Sequence, residues 1–228
     1  KERKNLKAIS WSRMKSVART YRSFPVFNFP ASIVNTMSLQ LPPLMLLTLY
    51  DPAVVGFYAL AHMLVVLPGS LISGSMGQAY IGEASKMVRE RSQGLRTLYV
   101  RTLKHLFVIG IPLIGIPALC APFIVPFIFG GAWTEAGWYC WPLAPMTIAQ
   151  FAVSGIGFLS LYGYNHWSLM WNVTRVVGVI GTFYLSYLFT LPVMMTLIIY
   201  VLVVVGMYIL SVILNLKAIS NFTLMVTQ

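Results

Sequence analysis

Residues 191–216 read "LPVMMTLIIYVLVVVGMYILSVILNL", twenty-six residues without one charge. A surface helix of a soluble domain carries an apolar stripe and a polar back. This segment is apolar nearly all round, which suits a helix that faces lipid on much of its surface. About 20 mainly apolar residues cross the hydrocarbon of a bilayer, where every backbone polar group must pair inside the segment. The rest of the chain is therefore read with lipid as a solvent.

Working towards the amino terminus, further windows of spanning length appear. Together the six lie at about 24–50, 53–82, 102–128, 137–163, 168–189 and 192–215. Composition agrees, with 58% hydrophobic and only 9% charged residues. Four links are short: "YDP" at 50–52, "GGAWTEAG" at 130–137, "YNHW" at 164–167 and "TLP" at 190–192. Short links make sequential helices antiparallel neighbours. The expected fold is an all-α polytopic membrane protein, a six-transmembrane-helix bundle over residues 24–215.

The charge of +11 does not point to nucleic acid, because of where it sits. Eight of the sixteen Lys and Arg lie within residues 1–22, and six more lie between Lys86 and Lys104. Both groups border apolar runs, as cytoplasmic segments do. The opposite links, 50–52, 130–137 and 190–192, hold no Lys or Arg, and Asp51 and Glu135 are their only charges. Both ends of the chain are thus expected in the cytoplasm, with 83–101 as the long basic link and 216–228 as a tail. Residues 1–23 form a basic amphipathic segment, with Leu6, Met14, Val17 and Tyr21 on one helical face and Lys and Arg over much of the rest. Such a helix can lie on an anionic leaflet; a solvated charged tail is the other reading. Trp133, Trp138, Tyr139 and Trp141 cluster at one expected boundary and Tyr162, Tyr164, Trp167 and Trp171 at the other, as aromatic belts do.

Signatures of catalysis are missing. There is no G-x-S-x-G, H-E-x-x-H or P-loop, and no paired carboxylates lie inside a span, so no enzyme is expected. His62, His105 and His166 are far apart, and no metal or cofactor is expected. Cys120 and Cys140 read as unpaired thiols. Proline interrupts the first span at Pro42-Pro43 and the third at Pro112, Pro117, Pro122 and Pro126. Freed backbone groups of this kind line transport paths in some proteins and are plain membrane-helix features in others.

One cation breaks the apolar pattern. Arg175 lies in "WNVTRVVGVIGTFYLSYLF", residues 171–189. At 1.5 Å per residue it is roughly 12 Å beyond Trp167. It could snorkel back to the surface. Alternatively it faces a wet interior, because at 100° per residue Ser168, Asn172, Arg175, Thr182 and Ser186 share one stripe. Thr147, Gln150, Ser154 and Gly157 align on the fourth span, and Asn28, Ser32 and Asn35 align on the first. A shared hydrophilic cavity would collect Arg175, Asn172, Gln150, Asn35, Ser154 and Asn28. No span centre carries a carboxylate, so the cation there would attract anions.

The stretches "YRSFPVFNFPASIVNTMSLQLPPLMLL" and "VGFYALAHMLVVLPGSLISGSMGQAYIGEASK" resemble the second half of bacterial polysaccharide biosynthesis proteins. So do "FGGAWTEAGWYCWPLAPM" and "HWSLMWNVTR". These proteins are the lipid-linked oligosaccharide flippases of the multidrug/oligosaccharidyl-lipid/polysaccharide exporter superfamily. The resemblance implies one lobe of a two-lobe exporter fold, with a missing amino-terminal lobe as partner. It further implies a polyprenyl-diphosphate-linked oligosaccharide as substrate, flipped across the bacterial inner membrane, with membrane lipid and polysaccharide polymerase machinery as further partners. Two other readings are a drug/cation antiporter of the same superfamily, which wants a lumenal carboxylate, and a non-transporting enzyme or polymerase of the pathway, which wants catalytic acids or a large polar loop.

Overall fold

The computed structural model describes residues 24–90, 94–157 and 159–227, together with Lys15. The amphipathic reading of residues 1–23 otherwise lies outside the described residues. Among the described residues six long helices follow one another: α1 (Phe29–Leu49), α2 (Pro52–Arg89), α3 (Leu95–Phe129), α4 (Thr134–Ser154), α5 (Asn165–Leu188) and α6 (Val193–Thr227). A π-helical turn at Phe24–Asn28 leads into α1, and 3-10 turns stand at Gly131–Trp133 and Leu159–Tyr162. No strand occurs among the described residues. Among the described residues four helices are long and apolar enough to cross a membrane, over Val26–Leu49, Pro52–Ser70, Leu95–Phe129 and Val193–Thr223. The protein is membrane-embedded.

Contacts between distant residues fix which helix ends meet. The Tyr50 hydroxyl donates to the Leu191 carbonyl at 2.8 Å and lies 2.6 Å from Thr196 Oγ1. Phe57 meets Trp133 edge-on at 5.7 Å. The three links without Lys or Arg therefore gather at one end of the bundle. Asp51 sharpens one of them, since its side chain caps α2 by accepting from the Ala53 amide at 2.8 Å, with Pro52 opening the helix. At the other end Tyr80 and Tyr162 share a 3.0 Å hydrogen bond, while Tyr99 and Phe222 pack around them. Lys86, Arg89, Arg96, Arg101, Lys104 and Lys217 lie towards this basic end.

Helix lengths explain the tyrosine cluster. α2 has 38 residues and α3 and α6 have 35 each. At 1.5 Å per residue these are about 52–57 Å long, against about 30 Å of hydrocarbon. The tight links stop them at one end, so the surplus projects from the basic end around its own small aromatic core. The expected long link at 83–101 is thus largely helix, since α2 runs to Arg89 and α3 begins at Leu95, just after Gly94 at φ 117°. Lys and Arg are good helix formers, so charge ends the crossing without ending the helix.

α4 is the central element, packed on α2, α3 and α6, with Cys140, Leu143, Ala144, Phe151 and Ala152 buried among them. Lipid tails are as apolar as leucine, so helices here associate by close packing rather than by escape from water. Gly77 on α2 shows how close: a Cβ there would stand 2.7 Å from the Gly155 carbonyl oxygen. Beside it, Ser73 Oγ donates across the helix pair to the Phe151 carbonyl at 3.3 Å. The same glycine region stops α4 at Ser154, well before the expected span end at 163. The four prolines of the third span leave α3 continuous.

Candidate functional site

Among the six described helices α5 carries the strongest division of faces. Asn172, Arg175, Val179, Thr182, Phe183 and Ser186 are buried, while Val173, Val177, Ile180, Tyr184, Leu185 and Leu188 are exposed. α1 packs along the buried side, and α6 packs beside it. Between α1, α4, α5 and α6 lies a cavity of about 460 Å³.

The structure brings all six candidate residues to that cavity. Asn28 and Asn35 come from α1 and its leading turn, Gln150 and Ser154 from α4, and Asn172 and Arg175 from α5. Ser32, Ser168 and Gly157 join them. The remaining members of the stripes go elsewhere. Thr147 is buried and donates to its own helix at Leu143 O, 3.0 Å away. Thr182 and Ser186 do the same, to Gly178 O and Thr182 O, both at 2.9 Å. They are packing residues nearer the opposite end.

Arg175 does not snorkel. It is only 4% exposed, and its guanidinium turns inward onto α1. Nη2 donates to Asn35 Oδ1 at 2.6 Å, to the Asn35 carbonyl at 3.3 Å and to Ser38 Oγ. The guanidinium carbon sits 4.7 Å above the Trp171 ring, and Tyr208 lines the same cavity beside it. Burying a cation costs several kcal/mol unless hydrogen bonds and a counter-charge compensate, so these neutral partners meet only part of the cost. No Asp or Glu lines the cavity. Glu83, the one acid of the second helix that could have approached, is exposed on α2, which does not wall the cavity. Arg175 Nε and Asn172 Oδ1 are buried with no partner. The site therefore holds a positive charge with no carboxylate beside it and spare hydrogen-bonding capacity. Such a cavity concentrates anions, and a guanidinium can grip phosphate through two parallel N–H bonds.

Sequence reading missed three contributors. Tyr208 and Ser211 line the cavity from α6, and Asn215 lies beside Gly157 at its edge. The signal was present, because Tyr200, Tyr208, Ser211 and Asn215 fall within about 80° of one another on a helical wheel. His62 of α2 was missed as well; with Ser38, Gln150, Tyr200 and Tyr208 it walls a narrow recess beyond Arg175. Among the described residues no three His, Cys, Asp or Glu side chains converge as a metal site would require, and both cysteines are free.

The fold and cavity define a class, that of helical membrane proteins with a buried cation and no carboxylate beside it. The family follows from a match over residues 6–137 to the model described as polysaccharide biosynthesis protein, and the chain belongs to that family. No curated protein and no solved structure matches it. The matched stretch includes Asn28 and Asn35; Gln150, Ser154, Asn172 and Arg175 lie beyond it.

Proposed function

We propose that this chain is part of a transporter that flips polyprenyl-diphosphate-linked oligosaccharide across the bacterial inner membrane for surface polysaccharide synthesis. It acts as one lobe of a two-lobe exporter, works by moving its substrate rather than by catalysing a reaction, and keeps its basic end in the cytoplasm. All six helices cross the bilayer in this reading. α4, with 21 residues, and α5, with 24, are long enough. They are less apolar for a physical reason: α4 is wrapped by protein, and α5 gives one face to the cavity.

The observation that carries the proposal is Arg175, buried and without a carboxylate in a polar cavity. A diphosphate leaving water for hydrocarbon loses tens of kcal/mol of solvation unless charge and donors replace it. Arg175 and the amides of Asn35, Asn172 and Gln150 supply that replacement. The antiporter reading asks for the opposite charge, because a cationic drug in this cavity would meet Arg175. The family description supports the pathway, and the cavity supports the headgroup chemistry.

The test is complementation in a strain lacking its own flippase, with the full-length protein. Arg175→Ala should abolish surface polysaccharide while membrane abundance stays close to wild type. Arg175→Lys should restore only part, since an ammonium cannot reproduce the bidentate grip. Normal surface polysaccharide from Arg175→Ala at normal abundance would remove the proposed role.

A further inference from the structure

A second concentration of positive charge lies outside the cavity, on the surface of α3. Arg96, Thr97, Arg101, Lys104 and His105 are all exposed and line one furrow, formed by side chains of this helix alone. Thr97, Arg101, Lys104 and His105 follow the i, i+4, i+7, i+8 rule of a single helical face. One turn further on, the same face becomes apolar and stays so. Val108 is 70% exposed, and Ile111, Ile116, Leu119, Phe123 and Phe127 continue the exposed series to the helix end.

The change of character falls where a bilayer would place it. About 30 Å of hydrocarbon measured back from Phe129, at 1.5 Å per residue, ends near residue 109. Arg101, Lys104 and His105 then stand at headgroup level, and Val108 onwards stands among acyl chains. A soluble polyanion would match the furrow but not the apolar stripe. An apolar partner helix would match the stripe but not the furrow. A molecule with a phosphate at one end and hydrocarbon at the other matches both.

We propose that this face of α3 is a binding site for an anionic phospholipid of the cytoplasmic leaflet. Arg101 and Lys104 hold its phosphate, His105 and Thr97 flank it, and its chains lie along Val108, Ile111 and the residues beyond. The site is separate from the cavity and does not depend on what the cavity carries. Arg175 reads anionic chemistry inside the bundle, whereas this furrow reads it from the surrounding bilayer.

Spin-labelled lipids test this directly. The full-length protein is reconstituted into phosphatidylcholine vesicles with trace spin-labelled phosphatidylglycerol or phosphatidylcholine, and the immobilised fraction of each label is measured. Wild type should favour the phosphatidylglycerol label by up to about thirtyfold, the size of effect that two interfacial basic side chains supply. Arg101→Gln with Lys104→Gln should remove most of that preference. Lys86→Gln with Arg89→Gln, exposed basic residues of α2, should leave it nearly intact. Arg101→Lys with Lys104→Arg keeps both charges and should retain it. An equal loss from the α2 pair would mean diffuse surface charge rather than a site, and would overturn the proposal. So would a loss in the charge-keeping pair, or the absence of any preference in wild type, which would leave the furrow to an acidic protein segment or a soluble polyanion.

Discussion

Arg175 and Arg101 are the same side chain in opposite circumstances. Arg101 stands exposed on α3 with Lys104 and His105 around it. Arg175 is 4% exposed, and its guanidinium is held by Asn35 and Ser38 above the Trp171 ring. The first is free to move, screened by water and salt, and worth little to stability by itself. The second is held in place and screened less, so its field acts more strongly on whatever enters the cavity. Depth and neighbours, more than residue type, thus set how strongly each cation acts on its surroundings. The surface cation suits a lipid headgroup and the buried one an anionic ligand, as proposed above.

The contrast between the two arginines requires that the two ends of the bundle face opposite sides of the membrane. Thr97 lies among the basic residues of α3, and Ala132 lies in the link between α3 and α4. In a full-length protein with Cys120 and Cys140 replaced by alanine, Ala132→Cys should react with an impermeant thiol reagent added to intact cells. Thr97→Cys should react only after the membrane is opened. The expected contrast is all or none, and same-side labelling would end both the topology and the cytoplasmic placement of the α3 furrow.

An orientation could be proposed from sequence because lysine and arginine are placed so unevenly. The long apolar runs were readable for an equally plain reason: twenty or so consecutive apolar residues have few other uses. The element ends were harder. Loss of apolarity at Glu83 set the expected end of a span, yet α2 continues to Arg89 because its basic residues favour helix. Conversely, apolar counting carried the fourth span past Ser154, where Gly155 and Gly157 close the helix. In the cavity, α1, α4 and α5 showed their polar residues against a mixed background. α6 hid Tyr208 and Ser211 within the most apolar stretch of the chain, where overall hydropathy drowned the wheel. His62 gave no signal at all, since a single histidine reveals its neighbours only in three dimensions.

A sharper version of the comparison converts the Arg175 site into a neutralised pair. Asn35 Oδ1 accepts from Nη2 at 2.6 Å, so Asn35→Asp places a carboxylate within salt-bridge distance of the guanidinium. The folded protein should gain thermal stability, because the buried charge acquires its missing partner. Anion binding should weaken at least tenfold, since the new carboxylate both occupies the guanidinium and repels phosphate. Titration of the purified full-length protein with inorganic pyrophosphate, followed by calorimetry, measures the second effect and a melting curve the first. Unchanged pyrophosphate affinity would show that the free charge of Arg175 is not what the cavity offers to anions.

The smallest expected effect concerns the ring beneath the guanidinium. Trp171 has two attachments: its indole Nε1 donates to the Met207 carbonyl at 2.7 Å, and its face lies 4.7 Å from the Arg175 guanidinium carbon. Trp171→Phe removes the first and keeps a weaker form of the second. One hydrogen bond is worth about 1 kcal/mol, which for a chain of this size lowers the melting temperature by roughly 2–4 °C. Cation–π attraction adds about 0.5–2 kcal/mol, most of which phenylalanine retains, so pyrophosphate affinity should fall no more than about threefold. Trp171→Leu removes the π face altogether and should cost a further several-fold in affinity with little more loss of stability, as Arg175 gains freedom to leave its anion-binding pose. The two variants share the lost hydrogen bond and differ in the aromatic face. Equal pyrophosphate affinities for Trp171→Phe and Trp171→Leu would therefore show that the ring is packing alone and that α1 holds the guanidinium without it.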